Sequence, residues 1–214
     1  MLSRRALMFV APLSLLAVPL LAQQMPSEAP GKPDPSRVAA GTYALDPQHT
    51  LIGWRVDHLG FSDYFGVFGD ATGTLTLDPA NPAAAKVDVT IPVAKVLTAS
   101  PGLNEHLLRA GKDGGKPDFF GPNPADARFI STKVTPGADG TSATIVGDLT
   151  LNGQTHPMTI AARFKGAGTF PGGKATVGFQ GKTTISRSQW GISTGVPLVS
   201  DAVELDISAP FELQ

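Results

Sequence analysis

Apolar and polar residues alternate in short runs along most of this chain, with a period of two rather than 3.6. In the first long run, Thr50, Ile52, Trp54, Val56 and His58 fall on one side, and His49, Leu51, Gly53, Arg55 and Asp57 on the other, because successive side chains of a strand point to opposite faces. One side is apolar with an imidazole at its end, the pattern of a half-buried strand, and His49 and His58 do not face one another. Similar runs recur between Gly, Pro, Asn and Asp clusters at 42–45, 50–58, 66–77, 86–96, 128–135, 142–151, 156–165, 174–186 and 203–212. Strand candidates at this spacing predict an all-β, antiparallel sheet that closes or sandwiches.

The connections support that reading. Asn152-Gly153 supplies the two positive φ angles of a type I′ hairpin, and the turns at 136–140 and 170–173 extend it into a meander over the second half. Only 103–110 reads as a helix, with Leu103, Leu107 and Ala110 on one side. It is expected to lie against the sheet or cap an open end. So many strands leave exposed edges unless the sheet closes, and a barrel of about eight strands has room inside for side chains or one slender ligand. The expected fold is an antiparallel β-barrel of about eight or more strands with one short helix.

The first residues follow a different pattern. Arg4 and Arg5 precede an apolar stretch from Ala6 to Ala22, after which the chain turns polar. This predicts a secretory signal over 1–22 and a periplasmic location. A membrane anchor fits less well, since Pro12 and Pro19 interrupt a run shorter than the ~18 apolar residues of a span. Residues 23–40 carry Pro26, Pro30, Pro33 and Pro35 and no aromatic residue, and read as a flexible leader. Residues 41–214 then form one domain. The absence of cysteine argues against a lipoprotein anchor and a disulfide framework alike. Losing Arg4 and Arg5 from 17 basic residues against 18 acidic ones brings the charge to about −3, which argues against a nucleic-acid partner.

Candidate chemistry is sparse. Phe61, Tyr64, Phe65 and Phe68 follow the first long strand, and Phe119, Phe120 and Phe129 follow the helix. Any one ring is best read as core, but as a set they permit a lined cavity. Gly53, Gly66, Gly73, Gly147, Gly178 and Gly181 on neighbouring strands are expected to leave space for it. His49, His58, His106 and His156 show no His-x-His or His-Glu-x-x-His pair, so no metal is assigned. The pattern Gly191-Ile192-Ser193-Thr194-Gly195 matches a nucleophile elbow, but Val196-Pro197 prevents the helix that such an elbow requires. No catalytic residue and no cofactor are assigned.

Taken in order, Tyr43, Asp46-Pro47, His49-Thr50, Val56, His58-Leu59, Gly66, Phe68, Gly73 and Asp78 form the first half of a longer pattern. It continues with His106-Leu107, Asp118-Phe119-Phe120, Phe129, Ser131-Thr132, Gly147, Leu149-Thr150, Gly153, Thr155, Pro157, Arg187 and Gly191. Over 41–212 the chain resembles the YceI-like family, exported lipid-binding proteins with a lipocalin-like barrel. The resemblance implies an apolar interior that holds a polyisoprenoid, such as a quinone tail, or another long-chain amphiphile for transport or storage. It implies no agreed catalytic residue. Two departures stand out: 110–117 lengthens the link between the helix and Phe119, and Trp190 replaces a smaller aromatic, a change expected to reshape the cavity.

Under this reading Trp54, Val56, Phe61, Phe65, Phe119, Phe120, Phe129 and Phe179 are the wall candidates, with His58 and Arg55 near the head group. The expected partner is the lipid itself, with transient membrane contact and pairing of two copies as further expectations. Two other readings compete. An exported enzyme acting on a hydrophobic small molecule needs polar groups, two histidines above all, converging in the cavity. A partner-binding sandwich needs a filled interior and an exposed apolar patch.

Overall fold

Ten antiparallel strands realise the alternation of the sequence in a computed structural model that describes residues 27–214; the signal assigned to 1–22 lies outside them. The first half contributes β1 (Gly41–Leu45), β2 (Leu51–His58), β3 (Ser62–Phe68), β4 (Thr72–Leu77) and β5 (Lys86–Ile91). The second half contributes β6 (Ala127–Pro136), β7 (Ser142–Leu151), β8 (Gln154–Thr169), β9 (Ala175–Ser186) and β10 (Ala202–Leu213). The run 66–77 is two strands because the chain turns at Asp70, which adopts a φ of 55°. The run 86–96 ends as a strand at Ile91, since Pro92 leads into a 3₁₀ turn at Val93–Lys95.

Eight strands close on themselves in the order β1-β4-β5-β6-β7-β8-β9-β10, with β10 returning to β1 through Tyr43↔Leu213 and Leu45↔Phe211. From β6 to β10 each strand pairs with its successor, so the second half is the expected meander. Asn152 (φ 50°) and Gly153 (φ 74°) make the tight hairpin between β7 and β8. β10 is the spine of the fold. Its C-terminal end holds β1, Glu204–Ser208 hold β2, and its other edge pairs with β9 along almost its full length. β3 adds outside β2, and its outer edge meets Leu97 through Val67, with a hydrogen bond of 2.9 Å in each direction.

The corner between β1 and β2 is fixed locally. Thr50 Oγ1 donates to the Asp46 carbonyl at 2.6 Å, and the Asp46 carboxylate accepts from Gln48 N at 2.9 Å. Such contacts hold a tight change of direction locally, with the Thr50 side chain buried beneath it.

α1 (Pro101–Leu108) begins two residues earlier than the alternation predicts, because the Ser100 hydroxyl accepts from Leu103 N and Pro101 takes the first turn, where its missing N–H costs nothing. Leu107 is buried, whereas Ala110 lies beyond the last turn.

The leader reading needs correction over its described part. Lys32 pairs with Ala167 of β8 through backbone hydrogen bonds of 3.0 and 2.9 Å, and Asp34 caps a 3₁₀ turn at Pro35–Arg37. Gly166 and Gly168 permit the approach: a Cβ on Gly168 would stand 2.1 Å from the Pro30 carbonyl oxygen. A proline-rich segment is thus held by main-chain pairing that its own composition does not announce.

Candidate functional site

The inward faces of the strands enclose two apolar lobes. The upper lobe, about 320 Å³, is walled by aliphatic residues and by Phe129, Phe164, Phe179 and Phe211, and Pro35 and Val38 of the docked leader close its outer side. The lower lobe, about 510 Å³, lies between β2, β3, α1 and the segment after Trp190. Both volumes fall in the usual range of small-molecule pockets. Ile52, Ile91, Leu149 and Leu205 border both lobes, so these four residues form the waist at which the two lobes adjoin. They come from β2, β5, β7 and β10, and no two are neighbours in sequence.

Strand parity positions the lower wall as expected. Trp54, Val56 and His58 of β2 face the lower lobe together with Tyr64 and Phe68 of β3, and the register pairs Trp54 with Gly66 and Val56 with Tyr64. The indole Nε1–H of Trp54 is buried without a hydrogen-bond partner, which costs about 1–3 kcal/mol in the absence of an acceptor. Leu103, His106 and Leu107 of α1, with Phe119 and Phe120, close the opposite side. The Phe68 and Phe120 rings meet edge to face at 6.0 Å, and His106 packs on Phe119 at 5.2 Å.

The imidazoles of the lining stand at this lower end, while the upper lobe carries Thr50, Thr141, Ser142, Arg163 and Gln180. His58, Tyr64 and His106 all border the lower lobe. His106 Nε2 lies 2.8 Å from Asp118 Oδ2, and Arg109 donates to the same oxygen at 2.9 Å. Hydrogen bonds from Arg109 and then His106 hold the Asp118 carboxyl below the usual carboxylate range. Two histidines therefore share one lobe, His58 from β2 and His106 from α1. Parity along β2 speaks only to His49 and His58, and His49 does sit apart, 2.6 Å from Asp46 at the β1–β2 corner. Among the described residues no group of three or more His, Cys, Asp or Glu is placed to hold a metal ion.

Arg187 is the site's main support. It is buried, and its guanidinium donates to the carbonyls of Ile192, Thr194, Val199 and Ser200, each at 2.9 Å. Burial pulls its pKa below the ordinary guanidinium value. One side chain thereby fastens the whole 192–200 loop, of which Ile192, Thr194, Gly195 and Val199 line the lower lobe. The nucleophile-elbow pattern lies within this clamp, with no helix after it.

Several expected wall residues stand elsewhere. Phe65 does not line the bore: it is opposite Arg55 in the β2–β3 pair and shares that residue's outer face. Arg55 is not near a cavity head-group position, since it bonds Asp63 Oδ2 at 2.8 Å and pairs with Glu204 on the outside of the sheet. Phe61 lies in the β2–β3 turn and is 89% exposed, because three residues of loop leave its ring no inward face to join. Phe129 and Phe179 do line the bore, in the upper lobe.

The glycines do not empty the interior as their number implies. Space beside Gly66 is filled by Trp54 and beside Gly147 by Phe129, and of the six only Gly181 borders a lobe. Trp190 lines neither lobe. Its Nε1 donates to the Leu149 carbonyl at 3.1 Å, its ring packs on His156 at 5.2 Å, and Asn152 Nδ2 donates to its carbonyl at 2.9 Å. Aliphatic wall positions are legible in the alternation of β10, where Val203, Leu205, Ile207 and Ala209 line the lobes and Glu204, Asp206 and Ser208 fall between them.

With this geometry in place, comparison with known proteins is specific. Residues 43–211 match the family described as YceI-like domain. A UPF0312 protein of Pseudomonas paraeruginosa is 42% identical over 173 residues, covering 79% of this chain and 85% of its own. Protein YceI of Shigella flexneri is 38% identical over 172 residues, with 79% and 85% covered. Among solved structures, Campylobacter jejuni YceI superposes with a TM-score of 0.60 at 29% identity, covering 74% of this chain and 90% of that one. Burkholderia cenocepacia BcnA gives 0.65 at 24% identity, with 78% and 98% covered. A polyisoprenoid binding domain from Saccharophagus degradans gives 0.52 at 11% identity, with 82% and 100% covered, and shares the fold.

Proposed function

The chain belongs to the YceI-like domain family, and from that membership we propose that it is an exported carrier or store for a long-chain amphiphile, a polyisoprenoid such as a quinone or polyprenyl lipid above all. The observation that carries this reading is the waist: two apolar lobes adjoin at Ile52, Ile91, Leu149 and Leu205, and a chain longer than either lobe would pass between these four side chains. A methylene moved from water into such a bore contributes about 0.8 kcal/mol. About ten buried carbons would therefore outweigh the ordering of the tail by several kcal/mol.

The lining also gives the ligand a direction. The lower lobe holds the one buried donor without a partner among the described residues, the Trp54 indole N–H, and His58, Tyr64 and His106 are in the same lining, whereas the polar residues of the upper lobe are Thr50, Thr141, Ser142, Arg163 and Gln180. An oxygen-bearing head belongs there, and the tail threads the waist into the upper lobe. The fold neighbour from Saccharophagus degradans carries a polyisoprenoid-binding description, and its low identity leaves the ligand class for this chain resting on the bore itself. The signal-like pattern of 1–22 supports export to the periplasm.

The test is to purify the protein from its native host, extract it with organic solvent and identify the extract by mass spectrometry. One long-chain lipid per protein is the expected result. Protein that carries no stoichiometric lipid, and takes up none when offered a prenyl series, would end this reading.

A further inference from the structure

Several of the most exposed apolar side chains of the described residues stand on two adjoining loops. Phe61 is 89% exposed and Leu59 is exposed beside it, in the turn between β2 and β3. Leu198 is 66% exposed and Val196 is exposed, in the loop that Arg187 fastens. The two loops are joined: Leu59 N donates to the Leu198 carbonyl at 2.8 Å, His58 pairs with Val199, and Ser200 N donates to the Asp57 carbonyl at 3.0 Å.

The exposure belongs to an ordered structure. Leu59 is held at a φ of 62°, a left-handed conformation that leucine rarely adopts. Gly60 N bonds the Asp57 carboxylate at 2.8 Å, and Phe61 N bonds the His58 carbonyl at 3.2 Å, which keep the turn in place. Strain retained at an exposed tip points to a use for that tip.

The same loops face the cavity on their other side. His58, Thr194, Gly195 and Val199 line the lower lobe, while Leu59, Phe61, Val196 and Leu198 project outward from neighbouring positions. The same loops thus carry an exposed apolar rim on one side and part of the lower lobe's lining on the other. The charges nearby are mostly acidic, with Asp57, Asp63 and Glu204 against Arg55, which disfavours an anionic surface and leaves the apolar contact to drive association.

We propose that this rim docks the protein on the surface of a zwitterionic lipid bilayer, with Phe61 and Leu198 inserted, so that ligand passes between the membrane and the lower lobe. The role in ligand passage rests on the carrier reading above; the docking itself does not require a ligand.

Flotation of the purified full-length exported protein with phosphatidylcholine vesicles free of isoprenoid tests it. The protein should float with the vesicles, and raising salt should not release it. Phe61→Ser and Leu198→Ser should each lower the bound fraction at least about tenfold, whereas Phe170→Ser, an exposed ring in the turn after β8, should leave it unchanged. Failure of the unaltered protein to float, or flotation of both loop variants at its level, would overturn the proposal. So would a fall in sedimentation coefficient on Phe61→Ser with flotation unaltered, since the patch would then join two copies. Uptake of a soluble prenyl probe without vesicles reads the cavity separately: protein that floats but takes up no probe keeps the docking surface and loses the carrier reading.

Discussion

The indole of Trp54 occupies the space that a side chain on Gly66, its cross-strand partner, would need. A Cβ on Gly66 would fall 2.1 Å from Trp54 Cζ2 and 2.3 Å from Cε2. An aromatic ring thus covers a glycine across a strand pair and forms part of the lower wall. Gly66→Ala should therefore drive the ring into the lobe, with an overpacking cost of about 1–3 kcal/mol by urea denaturation and reduced probe uptake. In a Trp54→Val background the clash is gone, so Gly66→Ala should cost less there than in the parent. A Gly66→Ala protein as stable and as competent as the parent would show that the indole moves aside freely.

The waist predicts a dependence on chain length. In the unaltered protein, affinity for a homologous prenyl or alkyl series should climb by about 0.8 kcal/mol per buried methylene until the upper lobe is filled. Leu205→Phe narrows the passage, so short ligands should bind as before while the climb stops once the chain reaches the waist. Isothermal titration across the series gives both slopes, and identical slopes would remove the waist from the ligand's path.

Arg187 makes a sharper claim on stability. Arg187→Met leaves four carbonyls of the 192–200 loop without their donor, and hydrogen bonds to charged groups contribute about 1.5–3 kcal/mol each, non-additively. The expected loss is at least about 3 kcal/mol by chemical denaturation, with faster proteolysis inside the loop. Arg187→Lys should recover only part, because one ammonium cannot span the positions of a planar fork. A loss within error of zero would mean that the loop is held by other contacts.

The turn between β6 and β7 carries a pH signature. Asp139 accepts from Thr141 N, Ser142 N and Ser142 Oγ, and these donors, the Thr141 amide first, pull its pKa from 3.8 to about 2. Since the folded value lies below the unfolded one, the carboxylate's support of the turn is complete above about pH 4 and fades as pH falls through about 2. The amide shifts of Thr141 and Ser142 should follow that lower midpoint by NMR. Asp139→Ala should abolish the titration and speed amide exchange at Ser142, whereas a midpoint near 3.8 in the parent would show that the three donors do not hold the carboxylate in solution.

What the sequence made legible was local. The inward face of β2, the Asn152-Gly153 hairpin and the meander that follows it depend on neighbouring residues, and the structure has all three. Aromatic character alone puts Phe61 and Phe65 on the wall, but it says nothing about facing. Register does: with β2 and β3 joined by a three-residue loop, Tyr64 and Phe68 point inward and Phe65 outward. The waist is not legible in the sequence because its residues come from four strands and meet only when the sheet closes. Arg187 matched the family pattern, yet its role depends on a loop that must fold back over it. Docking of Lys32 was invisible for a related reason, since the accommodating glycines lie far along the chain in β8.

The outer edge of β3 has a mechanical consequence. Parting two staves of the eight-stranded cage means unzipping a ladder of backbone bonds, whereas lifting Leu97 away from Val67 strips two. That flank beside the lower chamber is therefore held by fewer main-chain bonds than the seams between staves. Local fluctuation of this side wall thus leaves the eight staves zipped and needs no excursion towards the unfolded state.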